Sequence, residues 1–212
     1  MALLCRRLQS SLTSMKKRTV GIFLFDDAEV LDFAGPFEVF SVTAQIHPDE
    51  PFQVFTISKD GEPVRAVNGL RIIPDHSFDS APPVDVLVVA GGQGTRALLQ
   101  DTKTLQWLEH VHRQSEWTLS ICSAARLFAR LGLLEGRPFC THQEVYDHVL
   151  TLSPTALPRR FNRYIQSNER LFTSGGISAG IDLSFRMVAT ILGPEAARTT
   201  AQYMEYPMPE PV

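Results

Sequence analysis

The chain has 212 residues, of which 44% are apolar and 20% are charged, and it carries a formal net charge of −3. This length and apolar content are enough for one core, and we expect residues 19–212 to form a single domain. The slightly acidic balance gives no general attraction to nucleic acid or to an anionic membrane, and no apolar run is long enough to span a bilayer.

The N-terminal segment, residues 1–18, holds five basic residues, several serines and no acidic residue. This composition is typical of an organellar transit peptide. A second interpretation takes Met15 as the natural start of the protein, because a strand-like run follows it closely. We favour the second, in which residues 1–14 are a misplaced start or a disordered extension. Residues 1–18 are therefore predicted to be a disordered extension ahead of the domain of a cytoplasmic protein, with an organellar location as the alternative.

Strand-like and helix-like runs alternate along the rest of the chain. Strands are predicted at residues 20–25, 52–57, 70–73, 84–89 and 117–121. Helices are predicted at residues 36–44, 102–113, 123–133, 143–150, 179–192 and 195–202, with a hairpin around Asn168. The alternation predicts an α/β fold with a mostly parallel sheet between helices, in which ligands bind at the carboxyl ends of the strands.

Asp32 lies between the first predicted strand and a Gly-Pro pair that introduces the first predicted helix. Its carboxylate could cap the helix by accepting hydrogen bonds from free N–H groups, or it could face a cleft. Capping is the commoner role for a single aspartate before a helix, and the residues alone leave both interpretations open.

Three glycines, Gly91, Gly92 and Gly94, follow the apolar run 84–89, which is typical of a central strand buried on both faces. Glycine permits either a sharp turn or a close approach of backbone N–H groups to a ligand. The GxGxxG spacing of dinucleotide-binding loops is missing, and so is the GK[ST] ending of a phosphate-binding loop. The segment is therefore either a plain turn or a set of N–H donors.

The segment SICSA, residues 120–124, joins the fifth predicted strand to a helix. A tight strand-to-helix turn with small neighbours projects a nucleophile at the end of a sheet, as in G-x-S-x-G hydrolases. At this position the helix dipole would lower the pKa of Cys122, and the N–H of Ser123 would face an oxyanion. A buried structural cysteine is as common by residue type alone, but the position favours a nucleophile.

Cysteine count and spacing limit the other possibilities. Cys5, Cys122 and Cys140 cannot all pair with one another, and their spacing is not that of a zinc site. Free thiols in a reducing compartment are therefore expected, without a metal site.

Four segments together resemble the DJ-1/PfpI superfamily. They are FLFDDAEVLDFAGPFEVF, VVAGGQGTRALL, SICSAARLFARLGLLEGRPFCTH and LFTSGGISAGIDLSFRMVATILG. The resemblance extends from Val20 to Tyr206 and is greatest to the branch that contains bacterial isonitrile hydratase and the sensor domains of AraC-type regulators. It implies a flavodoxin-like three-layer sandwich with a nucleophile elbow, a homodimer, a small-molecule substrate, and neither a metal nor an organic cofactor.

The resemblance also implies roles for individual residues. Cys122 matches the family nucleophile, and Asp32 matches the acidic partner seen in isonitrile hydratase. Gly92 and the N–H of Ser123 match the oxyanion donors, and Gly91 is grouped with them as a substrate-binding residue. The expected activity is hydration of an isonitrile to an N-substituted formamide, with a ligand-sensing module or a redox-sensitive stress protein as alternatives.

This chain departs from the branch pattern at two places that bear on the site, besides a small change in which SGGISAG, residues 174–180, replaces the frequent SAGVSAG. The usual Cys-Thr-Gly is Cys-Ser-Ala at residues 122–124, and the usual Thr-His-Trp is Thr-His-Gln at residues 141–143. The second change removes an aromatic wall of the pocket, so the resemblance does not fix the substrate.

His142 and Glu144 have the spacing of the His-x-Glu pair of glutaminases, but there the pair follows a different strand much later in the chain. His142 is therefore predicted to be a polar residue at the pocket edge or at a helix entry, with contact to the Cys122 thiolate as the less favoured alternative. Cys140 is predicted to be a packing residue, and Asp182 to support the start of the 179–192 helix or the local loop.

Overall fold

The computed structural model describes residues 16–208 of the chain. Its strands are β1 Arg18–Phe23, β2 Phe52–Ser58, β3 Val64–Arg65, β4 Arg71–Ile72, β5 His76–Ser77, β6 Val86–Val89, β7 Trp117–Ser120, β8 Pro138–Phe139, β9 Leu157–Pro158, β10 Tyr164–Gln166 and β11 Leu171–Ser174. Its helices are α1 Val30–Ile46, α2 Thr95–Leu98, α3 Thr102–Gln114, α4 Ala125–Arg130, α5 Tyr146–Leu152, α6 Ala179–Leu192 and α7 Pro194–Tyr203. Residues 1–15 of the predicted extension, Cys5 among them, lie outside the described residues.

Seven strands form one sheet in the order β10-β11-β7-β6-β1-β2-β5. All neighbours in it are parallel except β10 and β11, which form the hairpin predicted around Asn168. Helices α1, α6 and α7 pack against one another, while α4 packs against α2 and α5. This arrangement confirms the predicted α/β sandwich with a mostly parallel central sheet.

The core is centred on β6, whose four residues are fully buried between β1 and β7. A strand covered on both faces has no polar side to present, which explains its continuous apolar sequence. An aromatic cluster continues the core beneath the sheet, with the rings of Phe78 and Trp107 stacked 4.1 Å apart and Phe23 at 5.5 Å from Trp107.

Helix α1 begins at Val30, six residues before the predicted start at Pro36. The prediction rested on the preference of proline for the first turn of a helix, where its missing N–H is harmless. Here Pro36 lies inside the helix and leaves the carbonyl of Asp32, four residues earlier, without its usual donor. The consequence is that Asp32 belongs to the first turn of α1.

The predicted strand 70–73 is present as β4, but it pairs with β3 in a separate antiparallel ribbon and does not join the main sheet. The predicted strand stays outside the core because its apolar side chains are not buried. Leu70 is 49% exposed and Ile73 is 79% exposed. The run of apolar residues predicted the strand correctly, but it did not predict that the strand lies outside the main sheet and the core.

Within residues 16–208, no helix has both the length and the apolar character needed to cross a membrane.

Substitution of Leu119 tests whether β7, the strand that leads to Cys122, belongs to the buried core. Its side chain is fully buried in β7, so Leu119→Ala should reduce the free energy of unfolding by about 2–5 kcal/mol through lost burial and a residual cavity. The matched control, Leu70→Ala, removes an exposed side chain and should change it by less than about 0.5 kcal/mol. Urea denaturation of both variants measures the difference, and equal effects would contradict this assignment of the core.

Candidate active site

The turn after β7 has the geometry of a nucleophile elbow. Cys122 has φ 53°, a left-handed conformation that non-glycine residues adopt at a cost of about 1–3 kcal/mol and that is common at functional sites. A short 3-10 turn, Cys122–Ala124, then leads into α4. The turn is fixed by the Thr141 hydroxyl, which donates to the carbonyl of Cys122 at 2.7 Å.

Asp32 lies against this turn, fully buried in the first turn of α1. Its Oδ2 accepts a hydrogen bond from the N–H of Gly91 at 2.9 Å. The N-cap of α1 is Glu29, which makes no capping bond through its side chain, so the interpretation of Asp32 as a helix cap is wrong. Asp32 instead joins α1 to the glycine loop after β6.

The carboxyl of Asp32 and the thiol of Cys122 are close enough to affect each other's protonation. Burial raises the pKa of Asp32 to about 7, and this shift is opposed by hydrogen bonding to Gly91 and Cys122. The second oxygen, Oδ1, has no well-aligned hydrogen-bond partner among residues 16–208. The carboxyl is therefore held in a position where it can exchange a proton with the sulfur.

Burial raises the pKa of Cys122 to about 12, and the negative charge of Asp32 is the second cause of this rise. The predicted lowering of this pKa is wrong, because loss of hydration around the buried sulfur raises it by more than hydrogen bonding from the backbone of Ser123 and Ile177 lowers it. The two groups titrate as a pair that holds a single proton over a wide range above neutral pH.

Each of the two glycine N–H groups predicted to face a substrate has a partner inside the protein. The N–H of Gly91 donates to Asp32, and the N–H of Gly92 donates to the hydroxyl of Ser123 at 2.8 Å. The N–H of Ser123, in contrast, points at the Cys122 sulfur and lowers its pKa. The structure thus brings the predicted site residues together. The N–H groups of Gly91 and Gly92, however, are hydrogen-bonded to Asp32 and Ser123 and do not face a substrate.

A donor that the sequence analysis did not identify is the N–H of Ile177, which also points at the Cys122 sulfur and lowers its pKa. Ile177 has φ 50° in the turn between β11 and α6, and it lines the cavity over the sulfur. The only signal for this donor in the sequence was the motif SGGISAG, to which no role was assigned.

A cavity of about 250 Å³ opens over the sulfur. Its lining residues are Glu29, Val67, Gly92, Gln93, Arg96, Cys122, Ser123, Arg126, His142, Glu144, Val145 and Ile177. His142 is partly exposed and lines the cavity, and its Nδ1 accepts the N–H of Glu144 at 3.3 Å. Its place at the pocket edge stays a prediction. Arg96 and Arg126 were not identified from the sequence.

The remaining candidates lie outside the cavity. Cys140 is buried after β8, with its thiol donating to the carbonyl of Thr173 at 3.1 Å, which confirms a packing role. Asp182 in α6 accepts hydrogen bonds from Arg163 at 2.5 Å and from the hydroxyl of Tyr206 at 2.6 Å, so it holds a loop and the C-terminal segment. No group of side chains suited to a metal ion occurs within residues 16–208.

Comparison with known proteins adds to this geometry. The sequence model of the DJ-1/PfpI family matches residues 18–190. The isonitrile hydratase of Pseudomonas putida is 30% identical over 187 residues, which cover 88% of this chain and 78% of that protein. The HTH-type transcriptional regulator GbdR of Pseudomonas aeruginosa is 29% identical over 192 residues, 89% of this chain, and the match spans 51% of the regulator.

Among solved structures, a THiJ/PfpI family protein from Pseudomonas syringae has a TM-score of 0.82 to this chain at 23% identity. The superposition covers 100% of this chain and 84% of that one. At this identity the likeness concerns the fold alone.

Substitution of Gly91 tests the close packing around Asp32. A Cβ at this position would lie 2.5 Å from the backbone N of Ser123 and 2.8 Å from Oδ2 of Asp32, so Gly91→Ala should displace both groups. We expect a loss of about 1–3 kcal/mol in the free energy of unfolding, typical of overpacking. Gly175→Ala is the matched control, because its Cβ would meet atoms no closer than 3.5 Å. Equal stability of the two variants would contradict the packing described.

The raised pKa of Asp32 predicts how stability depends on pH. The folded-state pKa of about 7 exceeds the ordinary aspartate pKa of 3.8, so between these values the folded protein retains a proton that the unfolded chain has released. Raising the pH through this window therefore favours unfolding, by at most about 1.4 kcal/mol per pH unit.

Asp32→Asn removes this titration while keeping an acceptor for Gly91. The variant should consequently gain stability relative to wild type as the pH rises from about 4 to about 7. Urea denaturation at several pH values measures the difference, with the exposed Asp60→Asn as control. If the curves of wild type and Asp32→Asn run parallel over this range, the burial of an ionisable pair at this site is not supported.

Proposed function

Because the chain belongs to the DJ-1/PfpI family, we propose that it is a cofactor-free hydratase that uses Cys122 as nucleophile and Asp32 as proton carrier. The observation that supports this most is the pairing of the two side chains at the elbow, below a cavity of about 250 Å³. The proposed substrate is an isonitrile, as for the Pseudomonas putida relative at 30% identity.

The first step forms a covalent thioimidate. Asp32 as carboxylate takes the thiol proton while the sulfur of Cys122 attacks the terminal carbon of the isonitrile, R–N≡C. The same proton then passes from Asp32 to that carbon, which gives R–N=CH–S–Cys. A carboxyl with a pKa of about 7 suits this role, because it accepts and releases a proton near neutral pH.

The second step returns the enzyme to its starting state. Water adds to the thioimidate carbon while Asp32 accepts one of its protons and passes it to the substrate nitrogen, which gives R–NH–CH(OH)–S–Cys. The carbon–sulfur bond then breaks as the hydroxyl proton passes through Asp32 to the sulfur, so the thiol is restored and the N-substituted formamide R–NH–CHO leaves. The sum of both steps is one isonitrile plus one water, so neither an oxidant nor a reductant is consumed.

Three features support attack by this sulfur although its pKa is high. The N–H groups of Ser123 and Ile177 point at the sulfur and stabilise negative charge on it as the proton leaves. Cys122 lines the cavity although it is buried, and its left-handed φ is of the kind that occurs at functional sites. The neighbouring Asp32 removes the need for a standing thiolate, because the proton moves during the attack.

A ligand-sensing module is the second candidate function. It is favoured by the match to GbdR, which covers 89% of this chain. In such a module the cavity would bind its ligand without turnover, and neither Cys122 nor Asp32 would act chemically. The third alternative, a redox sensor, has less support because reactive sensor cysteines have a low pKa and burial raises that of Cys122 to about 12.

Turnover of small isonitriles by variants of the pair tests the hydratase directly. Cys122→Ala should abolish turnover, and Asp32→Asn should fold and lose about 10²–10⁴-fold in rate, the usual size of general acid–base catalysis. Cys140→Ala is the matched control, because it also removes a buried thiol of raised pKa but lies outside the cavity, and it should retain turnover.

Melting temperatures of the same variants separate chemistry from folding. Full turnover in a stable Asp32→Asn protein would remove Asp32 from the mechanism. Absence of turnover in wild type together with ligand binding that survives Cys122→Ala would favour the sensing module instead.

A further inference from the structure

Arg126 is a buried positive charge that lines the cavity. It is the fourth residue after Cys122 and is only 3% exposed. Its Nε donates to Nδ1 of His148 at 3.0 Å, and a terminal nitrogen donates to the hydroxyl of Thr95 at 3.0 Å. Both acceptors are neutral, since an imidazole nitrogen that accepts a hydrogen bond carries no proton.

Ion pairs normally accompany buried arginines, because an unpaired charge is costly away from water. Within residues 16–208, however, no carboxylate forms an ion pair with Arg126. Burial and the nearby charge of Arg96 lower the pKa of Arg126, whereas negative charge at Cys122 raises it. The guanidinium is thus fixed in orientation, buried, and without a carboxylate partner.

The other charged groups of the cavity lie nearer to solvent. Arg96 on α2 is exposed, with its Nε bonded to the side-chain oxygen of Gln93 at 3.1 Å, and it adds a second positive charge at the cavity mouth. Glu29 is partly exposed and Glu144 is exposed, so water screens both carboxylates more than it screens Arg126. Among the charged side chains that line the cavity, the most buried is therefore the positive guanidinium of Arg126, while the carboxyl of Asp32 lies behind Cys122 and does not line it.

We propose that the cavity selects a small substrate that carries a carboxylate, which pairs with the guanidinium of Arg126 while the reactive carbon of the substrate meets Cys122. A guanidinium held by two neutral hydrogen bonds is prepared for a carboxylate, because its planar fork matches the two oxygens. Arg96 attracts the same anion at the entrance. The position of the reactive carbon rests on the proposed function, whereas the binding of the anion does not.

A purely structural role would give Arg126 a different signature. Through Thr95 on the α2 side and His148 in α5, the guanidinium ties two helices to α4. If that were its only role, a substitution would lower stability without changing the preference of the cavity for charge. Selectivity between a carboxylate and its neutral ester is therefore the decisive measurement.

The probes are isocyanoacetate and its neutral methyl ester, which carry the same isonitrile group and differ in charge. Calorimetry with the Cys122→Ala protein measures binding without turnover. We expect isocyanoacetate to bind at least about 10-fold tighter than the ester, and Arg126→Gln in this background to weaken only the acid, by about 10–100-fold, as for loss of a charged hydrogen bond. Arg96→Gln should weaken the acid by a smaller factor.

Arg130→Gln is the matched control, because Arg130 lies on the same helix, is exposed, and does not line the cavity. It should leave both affinities unchanged. The inference is overturned if the Cys122→Ala protein binds the ester as tightly as the acid, or if a folded Arg126→Gln variant keeps the preference for the acid. If Arg126→Gln does not fold, the ratio of the affinities for acid and ester is measured in the Cys122→Ala protein with and without Arg96→Gln. A preference for the acid that Arg96→Gln reduces supports the inference, and a ratio near one overturns it.

The same probes separate this inference from the proposed function. If wild type turns over neither isonitrile but the Cys122→Ala protein prefers the acid through Arg126, the hydratase is rejected and the anion site is supported. If wild type hydrates both with no preference for the acid, the hydratase is supported and the anion site is rejected.

Discussion

The backbone of Gly91 lies so close to Asp32 and Ser123 that no side chain fits there, and this contact connects three strand ends. A Cβ would lie 2.5 Å from the N of Ser123, while the N–H of Gly91 donates to Asp32 at 2.9 Å. The next residue, Gly92, binds the Ser123 hydroxyl and pairs with Ala28 in an isolated bridge. The loop after β1, the loop after β6 and the turn after β7 are thereby held in one arrangement, so the sheet determines where the carboxyl and the thiol meet.

Burial then determines the chemistry of that pair. Both pKa values rise, that of Asp32 to about 7 and that of Cys122 to about 12, because neither charge is well hydrated. An isolated thiol in this state would be inert, but one beside a carboxyl that titrates near neutrality can lose its proton when an electrophile arrives. The pair thus fits a reaction in which proton transfer accompanies attack better than one that needs a standing thiolate.

The sequence was sufficient for the fold and for the elbow at Cys122, because alternation of elements and a strand-to-helix turn are local patterns. The pairing of Asp32 with Cys122 was implied only by the family resemblance, since the residues alone left Asp32 open between a helix cap and a cleft residue. The sequence failed to predict features that depend on residues far away in the chain. The start of α1 depends on the tolerance of Pro36 within a packed helix, and the pKa of Cys122 depends on loss of hydration, which a local helix argument omits. The N–H of Ile177 reaches the sulfur only through a left-handed turn that residue type does not predict.

Arg126 was missed for the same reason, since an arginine one turn into a helix ordinarily points to water. Its burial beside the pair changes the electrostatic balance of the whole site. In the proposed reaction, ionisation of the pair above pH 7, approach of a substrate carboxylate and transfer of charge to sulfur would all place negative charge in the cavity or directly behind it. Without a fixed positive charge, each of these negative charges would raise the pKa of the neighbouring groups and oppose attack by the sulfur. In the proposed reaction Arg126 and Arg96 would offset this repulsion, so the feature proposed to select an anionic substrate would also make the buried thiol usable.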